Sequence, residues 1–284
     1  MLVKVSIENF KSFDSATELT MISSNKIRTN ASHRLKIKST QLLKYGVVYG
    51  ANAAGKTNLV EFFRFFKECV SKGIPMEVAG MFCKNREENR ERESSFEVQL
   101  TVDDKFYAYG FSAILSKRKI TAEWLYELYQ NGSARCLFER EGNKRPVLDE
   151  SLTLSNAEKN KFEIYADDFA GNETSLFLTE MNRGKKYTVR SKMLFFRDVY
   201  DWIQNHIAVI TPNTPLIDLE YYYDTDSLKL INKLIETFDT GISKIKIEEI
   251  SLDELSNSMP KAVFDRVMRH VKSRIEEQEN PSLE

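Results

Sequence analysis

The feature that most constrains this chain is the eight-residue stretch from Gly50 to Thr57, which reads Gly-Ala-Asn-Ala-Ala-Gly-Lys-Thr. It fits the pattern G-x-x-x-x-G-K-[ST] at every fixed position. In such a loop the glycines let the backbone wrap closely round a phosphate, and successive N–H groups form an anion nest. We therefore predict that Lys56 binds the β- and γ-phosphate oxygens and that Thr57 holds Mg²⁺, with ATP or GTP as the ligand.

The flanks of this stretch predict a strand before it and a helix after it. The run from Leu42 to Tyr49 is apolar, aromatic and β-branched, which is typical of a buried central strand. After Thr57 the apolar residues recur in steps of three and four, as on one face of a helix (Leu59, Phe62, Phe63, Phe66 and Val70). The N-terminus of that helix adds its dipole to the phosphate site.

The rest of the chain shows further elements. Alternation predicts a first strand with Val3, Val5 and Ile7 on one face, then a turn at Asn9–Phe13 and a second strand near 16–22. Residues 23–40 and 78–93 are polar and predict a loop and a solvated segment. Alternating runs from Phe96, with a hairpin signal at 131–132, predict an antiparallel meander of four strands. Helices are expected over 191–205, 226–238 and after Pro260, and short strands at 207–210 and 242–247.

Composition excludes several classes of protein. The formal net charge is −1 although 29 % of the residues are charged, so a nucleic-acid partner is conceivable through a local groove but is not indicated by charge. The three cysteines form no C-x-x-C pair, which argues against a disulfide scaffold or zinc site and fits a reducing cytosol. No apolar run approaches the ~20 residues of a membrane span, and no signal-peptide stretch opens the chain. The expectation is a cytoplasmic protein without a membrane partner.

Hydrolysis needs acidic residues at the end of an apolar strand, and the chain offers two weak matches. Asp253–Glu254 follows only two apolar residues, interrupted by Ser251, and fits a helix start better than a metal site. Asp167–Asp168 is the other. A cluster of Lys185, Lys186, Arg190 and Lys192 is interpreted first as a solvated patch and second as a phosphate contact.

Together, the first strand, the turn Asn9-Phe10-Lys11-Ser12-Phe13 and the loop ending Gly-Lys-Thr-Asn58 resemble the SMC/RecF branch of the ABC-type ATPases. The chain is more similar still to single-chain ATPases of the AAA/ABC class in prokaryotic phage-defence systems, such as RloA-like proteins, AriA of PARIS and PtuA of Septu. The stretches 94–98, 106–111 and 123–126 carry this likeness, as do 176–178 and 200–202.

The resemblance implies an α/β P-loop NTPase of ABC type, with a central mixed sheet, an antiparallel β-meander lobe and a helical C-terminal part. It implies an ATPase lobe over 1–225 and the start of a helical arm or lid over 226–284. ATP and Mg²⁺ are the implied ligands. Lys56 is the implied catalytic residue and Thr57 the metal ligand, and the phosphate contacts are Gly50, Asn52, Ala53, Ala54, Gly55, Lys56, Thr57, Asn58 and Lys11. No convincing signature motif or acidic strand end is present, so we expect an N-terminal portion of a longer ATPase.

Three functions follow as hypotheses from this resemblance. The first is an ATPase in which two copies sandwich ATP, as a homodimer or larger homo-oligomer, and control a nuclease or toxin effector in phage defence. The second is a RecF/SMC-like DNA-repair ATPase, which should show a basic face and DNA-stimulated turnover. The third is a nucleotide-binding scaffold that does not hydrolyse ATP. A transporter ATPase fits the Asn9–Phe13 turn least well.

Overall fold

The computed structural model describes residues 1–24, 26, 29–211, 225–238, 241–247 and 251–279. The chain divides into two compact units, Met1–Val209 and Ile210–Glu284. The sequence predicted the boundary between an ATPase lobe and a helical arm between residues 225 and 226. The strands are β1 (Leu2–Glu8), β2 (Thr17–Thr20), β3 (Arg34–Ile37), β4 (Thr40–Leu43), β5 (Ser94–Val102), β6 (Lys105–Ile114), β7 (Lys119–Leu128), β8 (Ala134–Glu141) and β9 (Val147–Leu148). The helices are α1 (Lys56–Lys72), α2 (Asn156–Phe169), α3 (Phe177–Glu180), α4 (Phe195–His206), α5 (Thr225–Glu236), α6 (Leu252–Ser258) and α7 (Lys261–Glu279).

The first unit is built on a seven-stranded sheet in the order β2-β1-β5-β6-β7-β8-β9. Strands β5 to β8 follow one another as the predicted four-stranded meander, and β1 joins it by pairing with β5. Every strand pair in the described part of the chain is antiparallel. The combination of helices and strands and the meander are therefore confirmed, whereas the mixed central sheet is not what these residues form.

Helix α1 covers one face of this sheet with an aromatic cluster. Phe62 and Phe66 are fully buried, as predicted, and Phe66 stacks on Phe111 with ring centroids 5.6 Å apart. Phe65 joins them against Phe96 at 5.1 Å. Burying a phenylalanine side chain contributes about 1.5–3 kcal/mol relative to exposure, so this cluster anchors the helix that begins at the Gly50–Thr57 loop.

A buried carboxylate ties helix α3 to the meander. Glu123 lies on β7 and accepts hydrogen bonds from the backbone N–H groups of Phe177 and Leu178 at 2.7 and 2.9 Å, and from the Tyr109 hydroxyl at 3.0 Å. Burial raises the pKa of Glu123, while the Arg140 guanidinium and the two N–H groups act to lower it. The carboxylate thus accepts hydrogen bonds from the first turn of α3, whose N–H groups have no partner within the helix.

The predicted buried strand before the loop is wrong beyond Leu43. Strand β4 ends there and pairs with β3, which itself lies in the stretch 23–40 that was predicted to be a loop. Residues 45–49 are irregular, with Val47 62 % and Tyr49 87 % exposed. The run has strand composition, but no neighbouring strand in the described part of the chain pairs with it.

Two shorter predicted strands are also absent. Ile207 follows the last residue of α4 in an extended conformation, and its carbonyl accepts from the Lys67 ammonium at 2.7 Å. In the second unit, the Asn232 side-chain amide accepts from the Ile245 N–H at 2.7 Å and donates to the Ile245 carbonyl at 3.2 Å. In both places a side chain takes the part that a neighbouring strand plays in a sheet.

Candidate phosphate-binding site

The loop before α1 contains two residues in the left-handed backbone conformation, which glycine adopts more readily than other residues. Ala53 and Gly55 have φ angles of 63° and 87°, in the left-handed region. A side chain on Gly55 would also place its Cβ 2.5 Å from the hydroxyl oxygen of Ser12. Glycine is therefore required at position 55 for conformation and for space. At Gly50 an added Cβ would lie 3.4 Å from the Cβ of Ala54, so the space at position 50 restricts the residue type far less than the space at position 55.

The Lys56 side chain folds back over this loop. Its ammonium donates to the carbonyl oxygens of Gly50 and Ala51, each at 2.7 Å. Both acceptors are neutral, so they hold the ammonium in place without cancelling its charge. A cation is thus held at the mouth of the loop, where the sequence predicted the phosphate-binding lysine.

The start of α1 adds a second source of positive potential. Gly55 is the residue before the helix, and its carbonyl accepts from the Asn58 N–H at 2.9 Å. The first turn of the helix contains no acidic residue. The helix dipole corresponds to roughly half a positive charge at this end, and with no carboxylate in the turn to offset it, the loop favours an anion.

The predicted ligands are accessible to solvent. Asn52, Ala53, Ala54 and Thr57 are exposed, and Asn58 is partly buried. Thr57 is the second residue of α1. In the part of the chain that the structure describes, no group of three or more His, Cys, Asp or Glu side chains could hold a metal ion.

The N-terminal turn brings Lys11 to the same place. The turn is closed by backbone hydrogen bonds in both directions between Phe10 and Phe13, at 2.8 and 2.9 Å. The Lys11 ammonium lies 3.7 Å from the carboxylate of Glu61 on α1. Next to it, the Asn58 amide donates to the Ser12 hydroxyl at 2.9 Å. The structure thus places the Asn9–Phe13 turn directly against the loop and the first two turns of α1.

Sequence reasoning missed the residues that hold this turn in place. The stretch 78–93 was predicted to be a solvated segment, yet Asn89 is fully buried and donates to the Asp14 carboxylate at 2.9 Å. Arg92 donates to the Asp14 carbonyl. These partners are some 75 positions apart in the chain, and the only local signal was the mixed charge of the stretch.

The two weak candidates for acidic metal ligands both lie on helices. Ser251 and Glu254 form a reciprocal capping box at the start of α6, which confirms the capping interpretation of Asp253–Glu254. Asp167 and Asp168 lie near the end of α2. Neither pair ends a strand, so neither has the position that an acidic partner of a phosphate loop requires.

The basic cluster noted in the sequence separates into two parts. Lys185 forms an ion pair with Glu180 at 2.6 Å and lies over the Tyr165 ring. Lys186, Arg190 and Lys192 line a cavity of about 630 Å³ beside the start of α2. The Glu158 carboxylate lines the same cavity and offsets part of the positive charge.

Comparison with known proteins adds no family to this geometry. No family model matches the chain, and no curated protein matches it. Among the described residues, no helix is both long enough and apolar enough to cross a membrane. The function is therefore inferred from the loop, the helix start and the N-terminal turn.

Proposed function

We propose that the loop from Gly50 to Asn58 binds the triphosphate of ATP together with Mg²⁺. The observation that carries this proposal is the position of the Lys56 ammonium, held over the loop carbonyls at the start of α1. An incoming phosphate replaces neutral carbonyls with charged acceptors, and such charge-assisted hydrogen bonds are about twice as strong as neutral ones.

The roles of the chain's own groups follow from their places. Asn52, Ala53 and Ala54 are exposed residues of the loop. In the proposed complex their backbone N–H groups bind phosphate oxygens, Lys56 pairs with the β- and γ-phosphate oxygens, and Thr57 ligates Mg²⁺. Magnesium supplies charge neutralisation of the phosphates. Lys11 is the second cation of the site, and reaching the phosphates requires it to exchange its Glu61 partner for them.

Within this proposal the chain is the ATP-binding lobe of an ABC-type, SMC/RecF-like P-loop ATPase. Two observations support the assignment: the Asn9–Phe13 turn lies against the loop, and an antiparallel meander follows α1. The resemblance extends the proposal to an ATP sandwich between two copies that controls a nuclease or toxin effector in phage defence, with a DNA-repair ATPase as the alternative.

A nucleotide-binding scaffold without hydrolysis is the second candidate. It is favoured by the capping box at Ser251–Glu254, which leaves the chain's nearest match to an acidic strand end on a helix. Phosphate release separates the two candidates in one direction. Release by the wild type that is lost in Lys56→Ala supports the ATPase and excludes the scaffold.

The proposal is tested by titrating fluorescent ATP into the wild type and into Lys56→Ala with Mg²⁺ present. The lost charge-assisted contacts are worth about 1.5–3 kcal/mol, so we expect affinity to fall by roughly 10- to 100-fold. The unfolding midpoint should hardly change, because substitutions at accessible positions usually stay within about 0.5 kcal/mol.

Lys72→Ala is the matched control. Lys72 is exposed at the other end of α1, about 24 Å away by a helical rise of roughly 1.5 Å per residue. It should bind ATP like the wild type. Equal affinity in Lys56→Ala and Lys72→Ala would show that the loop is not the nucleotide site.

A further inference from the structure

The N-terminal turn and the phosphate loop meet through one hydrogen bond and one close contact. The Asn58 amide donates to the Ser12 hydroxyl at 2.9 Å. The same hydroxyl oxygen occupies the space that a side chain on Gly55 would need. Ser12 therefore contacts both Gly55, the residue before α1, and Asn58 on the first turn of α1.

The Ser12 side of this contact is held in a strained and heavily supported backbone. Lys11 has a φ angle of 51°, which costs most non-glycine residues free energy, and Asn9 has a φ angle of 49°, which asparagine tolerates better than most residues. The Asn9 amide donates to the carbonyls of Asn89 and Arg92 at 2.9 and 3.0 Å, and its carbonyl oxygen accepts from the Cys83 N–H at 3.1 Å. Strain of this kind persists only where the surroundings over-determine the conformation, and it clusters at functional sites.

Packing and further backbone bonds complete that support. Phe10 is fully buried and lies 5.2 Å from Phe65 and 5.4 Å from Phe96 between ring centroids. The Lys11 N–H donates to the Met81 carbonyl at 2.7 Å. The Ser12 hydroxyl is therefore presented from a rigid support that is anchored in the core.

The Asn58 side belongs to the phosphate site itself. Asn58 directly follows Thr57 on the first turn of α1, and its N–H bonds to Gly55. A tether at Asn58 therefore limits how the loop amides and the Thr57 hydroxyl are oriented. Holding such groups in advance reduces the ordering cost of binding a ligand.

We propose that Ser12 and Asn58 are positioning residues, whose hydrogen bond fixes the phosphate loop against the rigid N-terminal turn and so sets the affinity for nucleotide phosphates. This inference rests on the proposed function. Because the bond is exposed to solvent, it adds little to folding stability, so its effect should be visible in binding rather than in unfolding.

A double-mutant cycle tests the pair, with Ser12→Ala, Asn58→Ala and the double variant titrated with Mg²⁺–ATP. We expect each single variant to lose about 3- to 10-fold in affinity, in line with a net hydrogen bond of about 0.5–1.5 kcal/mol. The double variant should lose no more than the larger single loss, because the two side chains act through one contact. Urea unfolding midpoints should match the wild type.

Inorganic triphosphate with Mg²⁺ is the second probe. It has no base or sugar, so if the pair positions the phosphate loop, the fold-loss for triphosphate should equal that for ATP. Ser15→Ala is the matched control, since Ser15 is an exposed serine just beyond the same turn. It should bind both probes like the wild type.

The outcomes separate this inference from the proposed function. Additive losses would overturn the positioning role and leave the phosphate loop assigned. So would unchanged affinity in both single variants while Lys56→Ala weakens binding by roughly 10- to 100-fold. Failure of the wild-type chain to bind either probe would overturn both.

Discussion

Two short segments adjoin the phosphate loop and have opposite structures, and the more apolar of the two is the less buried. Residues 9–13 contain two phenylalanines among polar residues, whereas residues 45–49 contain four aromatic or β-branched residues and one glycine. The first is locked by buried hydrogen bonds around Asn9 and by Phe10, which is fully buried. The second is irregular, with Tyr49 87 % exposed. The loop therefore has a buried turn next to it on one side and an exposed segment before it in the chain. The burial of an apolar run is decided by its neighbours and not by its own composition.

The largest expected effect is on the rigid flank. Phe10→Ala should destabilise the chain by about 3–5 kcal/mol, because it removes a fully buried ring from between Phe65 and Phe96. Urea unfolding followed by circular dichroism measures this loss. A loss below about 1 kcal/mol would show that the N-terminal turn is not anchored in the core.

Two substitutions of Asn9 should each lower the free energy of unfolding by less than Phe10→Ala does. Comparing them separates the effect of hydrogen bonding from that of backbone strain in the same turn. Asn9→Ala leaves the buried Cys83 N–H without its partner and keeps a side chain at a φ of 49°, so we expect a cost of about 3 kcal/mol. Asn9→Gly loses the same bonds but tolerates the φ angle, and should cost about 1 kcal/mol less even with its greater entropy in the unfolded chain.

Unfolding midpoints of the two Asn9 variants are compared in the same buffer. Equal costs for alanine and glycine would argue against strain in the turn. Costs below about 0.5 kcal/mol for both would remove the contrast between the two flanks altogether.

Binding should respond to the charge next to Lys11. Glu61→Gln removes the carboxylate that lies 3.7 Å from the Lys11 ammonium, which frees that cation for phosphate. We expect Mg²⁺–ATP to bind about 2- to 5-fold more tightly at low salt, less than 1 kcal/mol, as is usual for exposed charge pairs. The gain should shrink at high salt.

Glu68→Gln is the control for this variant, since Glu68 is an exposed residue two turns further along α1. It should change ATP affinity much less than Glu61→Gln. Weaker binding in Glu61→Gln would show that the carboxylate supports the site instead of competing with it.

The smallest effect should be on the exposed flank. Tyr49→Ala should leave the free energy of unfolding within about 0.5 kcal/mol of the wild type, because its ring makes little contact with the core. A loss of more than 2 kcal/mol in the same urea assay would mean that residues 45–49 are packed against other parts of the protein.

Local patterns in the sequence predicted the elements whose burial is decided locally. The alternation of Val3, Val5 and Ile7 and the stripe of Phe62 and Phe66 need only one covering surface, and both are confirmed. The pattern also predicted the order of loop and helix at residues 50–58. That this loop binds a nucleotide remains a prediction.

Contacts between distant positions could not be predicted in this way. Ser12 and Asn58 are 46 positions apart, and Asn9 and Asn89 are 80 apart. No periodicity links such pairs, and each residue by itself suggests only a turn or a surface position. The strand predicted up to Tyr49 failed for the related reason that pairing depends on a second strand, which an apolar run does not specify.

Hydrogen–deuterium exchange with and without Mg²⁺–ATP tests the central claim most directly, because it reads the loop and both flanks in one experiment. We expect ATP to slow exchange in peptides covering residues 50–58. Residues 9–13 should be protected in both samples, and residues 45–49 should exchange rapidly without ATP. Unchanged exchange across 50–58 at saturating ATP, or exchange at 9–13 as fast as at 45–49, would contradict a phosphate site held against a rigid N-terminal turn.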